Sequence, residues 1–121
     1  MLLGVAIAGA LGAATRYVVE GVVQDRVEGV FPWGTWVINV SGSLVLGLLT
    51  GLVLYHGLGD THRIVIGAGF LGAYTTFSTW MFEIVRLFED GSRYESLLNA
   101  AGSMAAGLAA AAAGLALAAI V

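Results

Sequence analysis

Four hydroxyl side chains lie within five positions of one apolar stretch of the chain; they are Thr75, Thr76, Ser78 and Thr79. Three glycines precede them, at positions 67, 69 and 72. Glycine weakens a helix and short hydroxyl side chains compete for backbone hydrogen bonds, so the pattern predicts a helix break near residues 72–76. Irregular backbone in a membrane frees carbonyl and N–H groups that can bind ions, provided that protein or a cavity shields them. The stretch therefore predicts an ion site without identifying the ion.

Two sets of polar side chains recur at helical spacing in other apolar segments. The first set is Thr35, Asn39 and Ser43, and the second is Ser96, Asn99 and Ser103. Residues three or four positions apart share one face of a helix. A lone Ser or Thr usually bonds to the backbone of its own helix, but the amide of Asn39 is too large and polar to be satisfied in that way. The two stripes predict a narrow polar path between two helices.

Ionisable side chains are rare, and those near the apolar segments allow two interpretations. Arg16 and Glu20 lie one helical turn apart. They predict either an ion pair at the membrane interface or, through Arg16, a positive charge in the vestibule of an anion path. Glu83 is open to the same two interpretations. His56 and His62 lie in a polar loop and are expected to be solvated rather than to bind a metal.

The composition indicates a membrane protein. The chain has 121 residues, of which 59% are hydrophobic and 11% charged, and its mean hydropathy is +0.91. A soluble domain carries about a quarter charged residues. Four apolar segments are each long enough to cross a bilayer. They predict an all-α, four-span integral membrane protein with a single transmembrane domain, and helices at about 1–23, 33–55, 64–88 and 97–121.

Two absences narrow the possible partners. The chain has no cysteine, which excludes disulfides and thiolate metal sites. It also has no lysine and no basic tract, so no nucleic-acid partner is expected.

Small residues recur every four positions on the first two predicted helices. Gly4, Ala8 and Gly12 form one such stripe, and Gly47 and Gly51 form another. Faces of this kind let helix backbones approach closely in lipid, so helix packing is their simplest interpretation.

Arginine, whose excess on the cytoplasmic side orients membrane proteins, is divided between both sides of the predicted membrane. The second loop holds Arg63, whereas the first and third loops hold Arg26 and Arg93, with Arg86 nearby. This weak bias allows two interpretations. The protein inserts in both orientations, or it has a single orientation and simply carries few charges.

Three motifs connect these features to a known family. They are GAATRY at Gly12–Tyr17, GTWVINVSGSLVLGLL at Gly34–Leu49 and GFLGAYTTFSTW at Gly69–Trp80. In sequence, order and spacing they resemble the Fluc, or CrcB, fluoride channels. The resemblance implies an antiparallel, dual-topology homodimer in the cell membrane that exports fluoride passively through two pores.

The resemblance also implies roles for individual residues. Asn39 faces the pore, and Phe77 with the aromatic three residues later forms a box around the ion; that second position is usually phenylalanine in the family and is Trp80 in this chain. A hydroxyl at Thr76 or Thr79 and the polar residues Asn99 and Ser103 complete the path. A structural sodium ion lies between the subunits and is held by the backbone carbonyls of Gly72 and Thr75. Amide and hydroxyl donors, together with electropositive ring edges, are suited to replacing the water around fluoride.

Two other classes of function remain open on sequence alone. Small multidrug exporters are also short, four-helix, dual-topology proteins, and they depend on a glutamate in the first helix, for which Glu20 is the only candidate. A non-transporting assembly subunit would explain the glycine stripes but not the polar ones. The chain has no acid pair, no nucleophile with a base and no set of metal ligands, so the sequence does not predict an enzyme.

Overall fold

The computed structural model describes all 121 residues, Met1 to Val121, and its regular structure is entirely helical. Four helical regions are long and apolar enough to cross a membrane: Leu2–Arg26, Trp33–His56, Asp60–Glu89 and Arg93–Ile120. The predicted all-α fold with four candidate spans is confirmed. The first two regions are single α-helices, α1 and α2. α2 ends at His56, and the next residue, Gly57, has a left-handed conformation (φ 68°) that suits glycine; its N–H bonds to the Leu52 carbonyl.

The third region consists of two helices separated by three residues that belong to neither helix. α3 spans residues 60–74 and contains a π-helical segment, Arg63–Leu71, between short α-helical turns. α4 spans Ser78–Glu89. Residues 75–77 form the connector between them, and Thr75 is extended, with φ −83° and ψ 161°. Gly72 is helical, with φ −60° and ψ −35°, so the irregular backbone begins later in the chain than the glycines alone suggest.

The fourth region is one continuous helix, α5, with bounds Arg93–Ile120. Its residues Leu98–Gly102 are π-helical. Backbone hydrogen bonds in such a segment span five residues instead of four, which widens the turn and often marks a functional position in a helix. Asn99, one of the predicted site residues, lies in this widened turn.

The helices pack mainly as two pairs, α2 with α5 and α1 with α3. Glycines make both contacts close. Gly47 of α2 lies against the Ala111 carbonyl of α5, and Gly12 of α1 lies against the Phe70 carbonyl of α3; a Cβ atom at either glycine would overlap the facing oxygen. The small-residue stripes are therefore packing seams, as predicted.

The connector is held against α2. The Tyr74 hydroxyl, at the end of α3, lies 2.9 Å from Ser41 Oγ of α2 and shares a hydrogen bond with it. Gly42, the next residue of α2, faces the Thr75 side chain so closely that a Cβ atom would overlap it. Most large apolar side chains outside this contact are exposed on the single chain, as expected where the surrounding solvent is lipid.

Candidate functional site

A cavity of about 400 Å³ lies between α2, α5 and the connector. It brings together most of the predicted site residues: Asn39, Gly72, Thr75, Thr76, Phe77, Trp80 and Ser103. Ser43 and Gly107 line the same wall, and a Cβ atom on Gly107 would lie 3.6 Å from Ser43 Oγ. The polar stripes of two separate helices thus meet at one cavity.

The amide of Asn39 is hydrogen-bonded in both directions to the backbone of Thr76. Nδ2 donates to the Thr76 carbonyl at 2.8 Å, and the Thr76 N–H donates to Oδ1 at 2.8 Å. In a continuous helix the Thr76 N–H would bond to the Gly72 carbonyl instead. Asn39 therefore replaces the helix as partner of the connector, and it keeps one Nδ2 hydrogen without a partner in the chain.

Thr76 and Thr79 form a short hydroxyl pair at the start of α4. Thr76 Oγ1 accepts from the Thr79 N–H at 3.3 Å, as a helix-capping side chain does, and donates to Thr79 Oγ1 at 3.1 Å. Thr79 uses its oxygen in this contact, so its own O–H proton is free to donate elsewhere. Thr79 does not line the first cavity; it lines a second one, of about 390 Å³, beside Glu83 and Arg86.

Phe77 and Trp80 form an edge-on aromatic pair. Their ring centroids are 5.7 Å apart and their planes meet at 84°. Phe77 is 68% exposed on the single chain. The indole Nε1–H of Trp80 donates to the backbone carbonyl of Asn99 at 3.1 Å, which ties α4 to α5. A phenylalanine at position 80 could not make this bond.

Asn99 is 1% exposed and lines neither of the two cavities. Its Oδ1 accepts from the Ser103 hydroxyl at 2.8 Å, whereas its Nδ2 has no hydrogen-bond partner. The structure thus places Asn99 behind two cavity-lining residues, Trp80 and Ser103, that are bonded to it. Ser96, the third residue of this stripe, bonds to the Ile84 carbonyl at 2.6 Å and fastens α5 to α4.

Arg16 contacts the connector rather than Glu20. Its guanidinium donates to the Thr75 carbonyl at 3.4 Å. The only ion pairs in the chain are Arg63 with Asp60 and Arg86 with Asp90, so the first of the two interpretations, an Arg16–Glu20 ion pair, is wrong. Arg16 lines neither cavity, and its vestibule role stays a prediction.

The carbonyls of Gly72 and Thr75 are the two groups predicted to bind sodium. No hydrogen bond reaches the Gly72 carbonyl from Thr75, Thr76 or Phe77, the residues that would supply one in a continuous helix. Gly72 is also exposed at the surface of the chain. The Thr75 carbonyl receives only the long bond from Arg16. Both oxygens keep lone pairs for another partner.

Sequence reasoning missed that Thr35 and Glu83 each hold a buried oxygen without a partner. Thr35 is 2% exposed, and its Oγ1, like Glu83 Oε1, is buried without a hydrogen-bond partner. Glu83 lines the second cavity, and Thr35 does not. Each residue stood out as polar within apolar sequence, but only the fold shows that these oxygens are buried and unpartnered.

The histidines differ from each other. Both are exposed, but His56 Nε2 lies 2.8 Å from the Ala118 carbonyl near the end of α5, so this ring contacts a helix terminus as well as solvent. Neither histidine belongs to a cluster of metal-binding side chains.

Comparison with known proteins identifies the family. A family model described as CrcB-like protein, Camphor Resistance (CrcB), matches residues 3–115. The chain is 50% identical over 115 residues to fluoride-specific ion channel FluC 1 of Leifsonia xyli subsp. xyli, covering 95% of this chain and 84% of the relative. It is 49% identical over 119 residues to FluC 1 of Symbiobacterium thermophilum, covering 97% and 94%. It is 50% identical over 111 residues to FluC 1 of Streptomyces avermitilis, covering 90% and 89%.

These relatives are named as ion channels, not as enzymes, and the four candidate spans agree with a multi-pass membrane protein. The small multidrug exporters, the main alternative on sequence, are a different family. The matches extend over nearly the whole chain and include all three motifs quoted above. The chain belongs to the CrcB family of membrane proteins.

Proposed function

We propose that the protein is a passive, fluoride-selective channel that exports fluoride across the cell membrane. Three curated relatives that share about half of its residues are named as fluoride-specific ion channels. The observation that carries the proposal is the first cavity, where polar groups from α2, α5 and the connector surround one space in an otherwise apolar protein. Polar groups at membrane depth are costly and are kept mainly where an ion or substrate passes.

The free donors of the two cavities suit a small anion. Asn39, at the first cavity, keeps one N–H, and Thr79, at the second cavity, keeps its O–H after their bonds within the chain are made. Phe77 adds the electropositive edge of its ring. Fluoride would exchange its water for these donors one at a time, and no single group would hold it too tightly to leave.

The path would run between the two cavities past the threonine pair. Thr76 lines the first cavity and Thr79 lines the second, and their hydroxyls are 3.1 Å apart. A hydroxyl can turn its proton towards a passing anion and back to its neighbour without moving the backbone. In this proposal residues 75–77 are a functional break in the third transmembrane helix.

We also propose an antiparallel, dual-topology homodimer with two pores. Support comes from the single chain, in which Phe77 and Gly72 are exposed beside an open cavity. A second copy packed against this side would cover both residues and close the cavity. The weak bias of arginine between the two sides is compatible with both orientations.

A structural sodium ion between the two copies fits the groups on the chain. The Gly72 and Thr75 carbonyls are oxygen ligands with unused lone pairs, and hard monovalent cations bind such oxygens. The ion would neutralise the negative ends of these carbonyls where two connectors meet. The guanidinium of Arg16, which already contacts the Thr75 carbonyl, would limit how far that oxygen can turn towards the ion.

Fluoride efflux from liposomes tests the proposed function. Liposomes containing the purified protein are loaded with potassium fluoride, the potassium permeability is supplied by an ionophore, and released fluoride is read with an electrode. We expect rapid release of fluoride and none of chloride from matched chloride-loaded liposomes. Fluoride that stays inside liposomes containing folded protein would contradict the proposal.

A further inference from the structure

Trp80 is the one tryptophan whose indole N–H is hydrogen-bonded within the chain. It donates from α4 to the Asn99 carbonyl of α5. Trp33 and Trp36 pack edge-on against each other near the start of α2, and their indole nitrogens make no such bond. The bond of Trp80 is therefore a specific link between two helices.

The acceptor of this link lies in the widened turn of α5. Asn99 lies in the π-helical segment Leu98–Gly102, where the Ser103 N–H is shared between the carbonyls of Asn99 and Ala100. A carbonyl oxygen has two lone pairs, and a shared N–H uses one of them only weakly. The Asn99 carbonyl can therefore accept the indole N–H without losing its place in the helix.

The link organises the wall of the first cavity. Trp80 lies edge-on to Phe77, which has no other aromatic neighbour in the chain. On the other side, Asn99 Oδ1 accepts the hydroxyl of Ser103. A continuous series of contacts thus runs from Phe77 through Trp80 and Asn99 to Ser103, and all of these except Asn99 line the cavity.

We propose that Trp80 is a positioning residue, whose hydrogen bond to Asn99 fixes α4 against α5 so that Phe77 and Ser103 stay on the wall of one cavity. Because the indole N–H is occupied, it does not donate to the ion. This inference rests on the proposed fluoride conduction, but it assigns Trp80 a role that requires the indole N–H and not only an aromatic ring.

Replacement of Trp80 by 3-benzothienylalanine isolates the bond, because sulfur takes the place of the N–H while the size and shape of the rings stay almost the same. One neutral hydrogen bond corresponds to about a fivefold change in rate, or about 1 kcal/mol. We expect fluoride efflux from liposomes to fall by about this factor and the ratio of fluoride to chloride permeability to fall with it. The matched control is the same replacement at Trp36, which should leave both quantities unchanged.

The outcomes separate this inference from the proposed function. Wild-type protein that releases no fluoride contradicts the proposed function. Conducting wild-type protein, together with a Trp80 isostere whose rate and permeability ratio equal those of wild type, overturns the positioning role alone. If the isostere is not recovered as folded protein, Trp80→Phe serves instead, since it also lacks the N–H; a wild-type rate in that variant overturns the inference, and a fall of similar size supports it.

Discussion

Asn39→Asp is the most informative single substitution, because the structure gives each atom of the amide a separate partner. The new carboxylate keeps an oxygen that accepts the Thr76 N–H. Its second oxygen replaces the Nδ2 donor, which lies 2.8 Å from the Thr76 carbonyl, so two acceptors then face each other. The variant also places a negative charge on the wall of the proposed anion path.

Two effects add in this variant. Loss of the hydrogen bond leaves the Thr76 carbonyl unsatisfied, which costs about 1–3 kcal/mol of stability. A unit charge about 4 Å from a passing anion repels it by about 4 kcal/mol at an effective dielectric constant of about 20. At about 1.4 kcal/mol per factor of ten, the repulsion alone lowers the conduction rate about a thousandfold.

The assay is fluoride efflux from liposomes, with size-exclusion chromatography to show that each variant is folded. Asn39→Leu separates the two effects, because it removes both hydrogen bonds without adding charge and should retain more activity than Asn39→Asp. Thr50→Ala is the matched control on α2, since Thr50 is exposed and bonds only to the Leu46 carbonyl of its own helix. An Asn39→Asp channel that conducts like wild type would refute both the role of the Asn39–Thr76 hydrogen bonds and the placement of Asn39 on the path.

Phe77→Ile should lower fluoride efflux at least tenfold while the protein stays folded, because Phe77 is 68% exposed and contributes ring edges rather than core packing; unchanged efflux would remove Phe77 from the path. Exchange of sodium for a large organic cation should lower the fraction of dimer measured by light scattering, and an unchanged fraction of dimer would contradict the structural ion. Tags at one terminus should be accessible from both sides of the cell membrane, whereas access from one side only would exclude dual topology. Gly47→Ala should lower thermal stability by about 1–3 kcal/mol, because its Cβ would overlap the Ala111 carbonyl, while Gly21→Ala, with no atom within 4 Å, should not; equal stability of the two variants would count against the α2–α5 contact.

The sequence is sufficient to predict the four helical regions, because each is a long apolar run bounded by polar residues. It also predicts the packing seams, because small residues at every fourth position let two helices approach closely in lipid. The motifs predict that Asn39, Thr76 and Phe77 lie at one site, and the polar stripe of the fourth helix predicts the same for Ser103, but their individual bonds are not predicted.

Other features depend on contacts that no local pattern encodes. The π-helical turn around Asn99 changes which side chains share a face, and so Asn99 lies behind the cavity wall instead of on it. Arg16 has Glu20 one turn away, but the tertiary contact with the Thr75 carbonyl replaces the local ion pair. The burial of the Thr35 and Glu83 oxygens without partners depends on how the helices pack, which sequence spacing alone cannot reveal.

The bond between Asn39 and Thr76 joins residues 37 positions apart, and this has a consequence for how the protein is made. Without α2, the N–H and carbonyl of Thr76 would lack both of their partners, and unpaired backbone groups are costly within a membrane. The conformation of the connector therefore depends on α2, which is synthesised before it. We expect the connector to take this conformation only when the third region packs against α2.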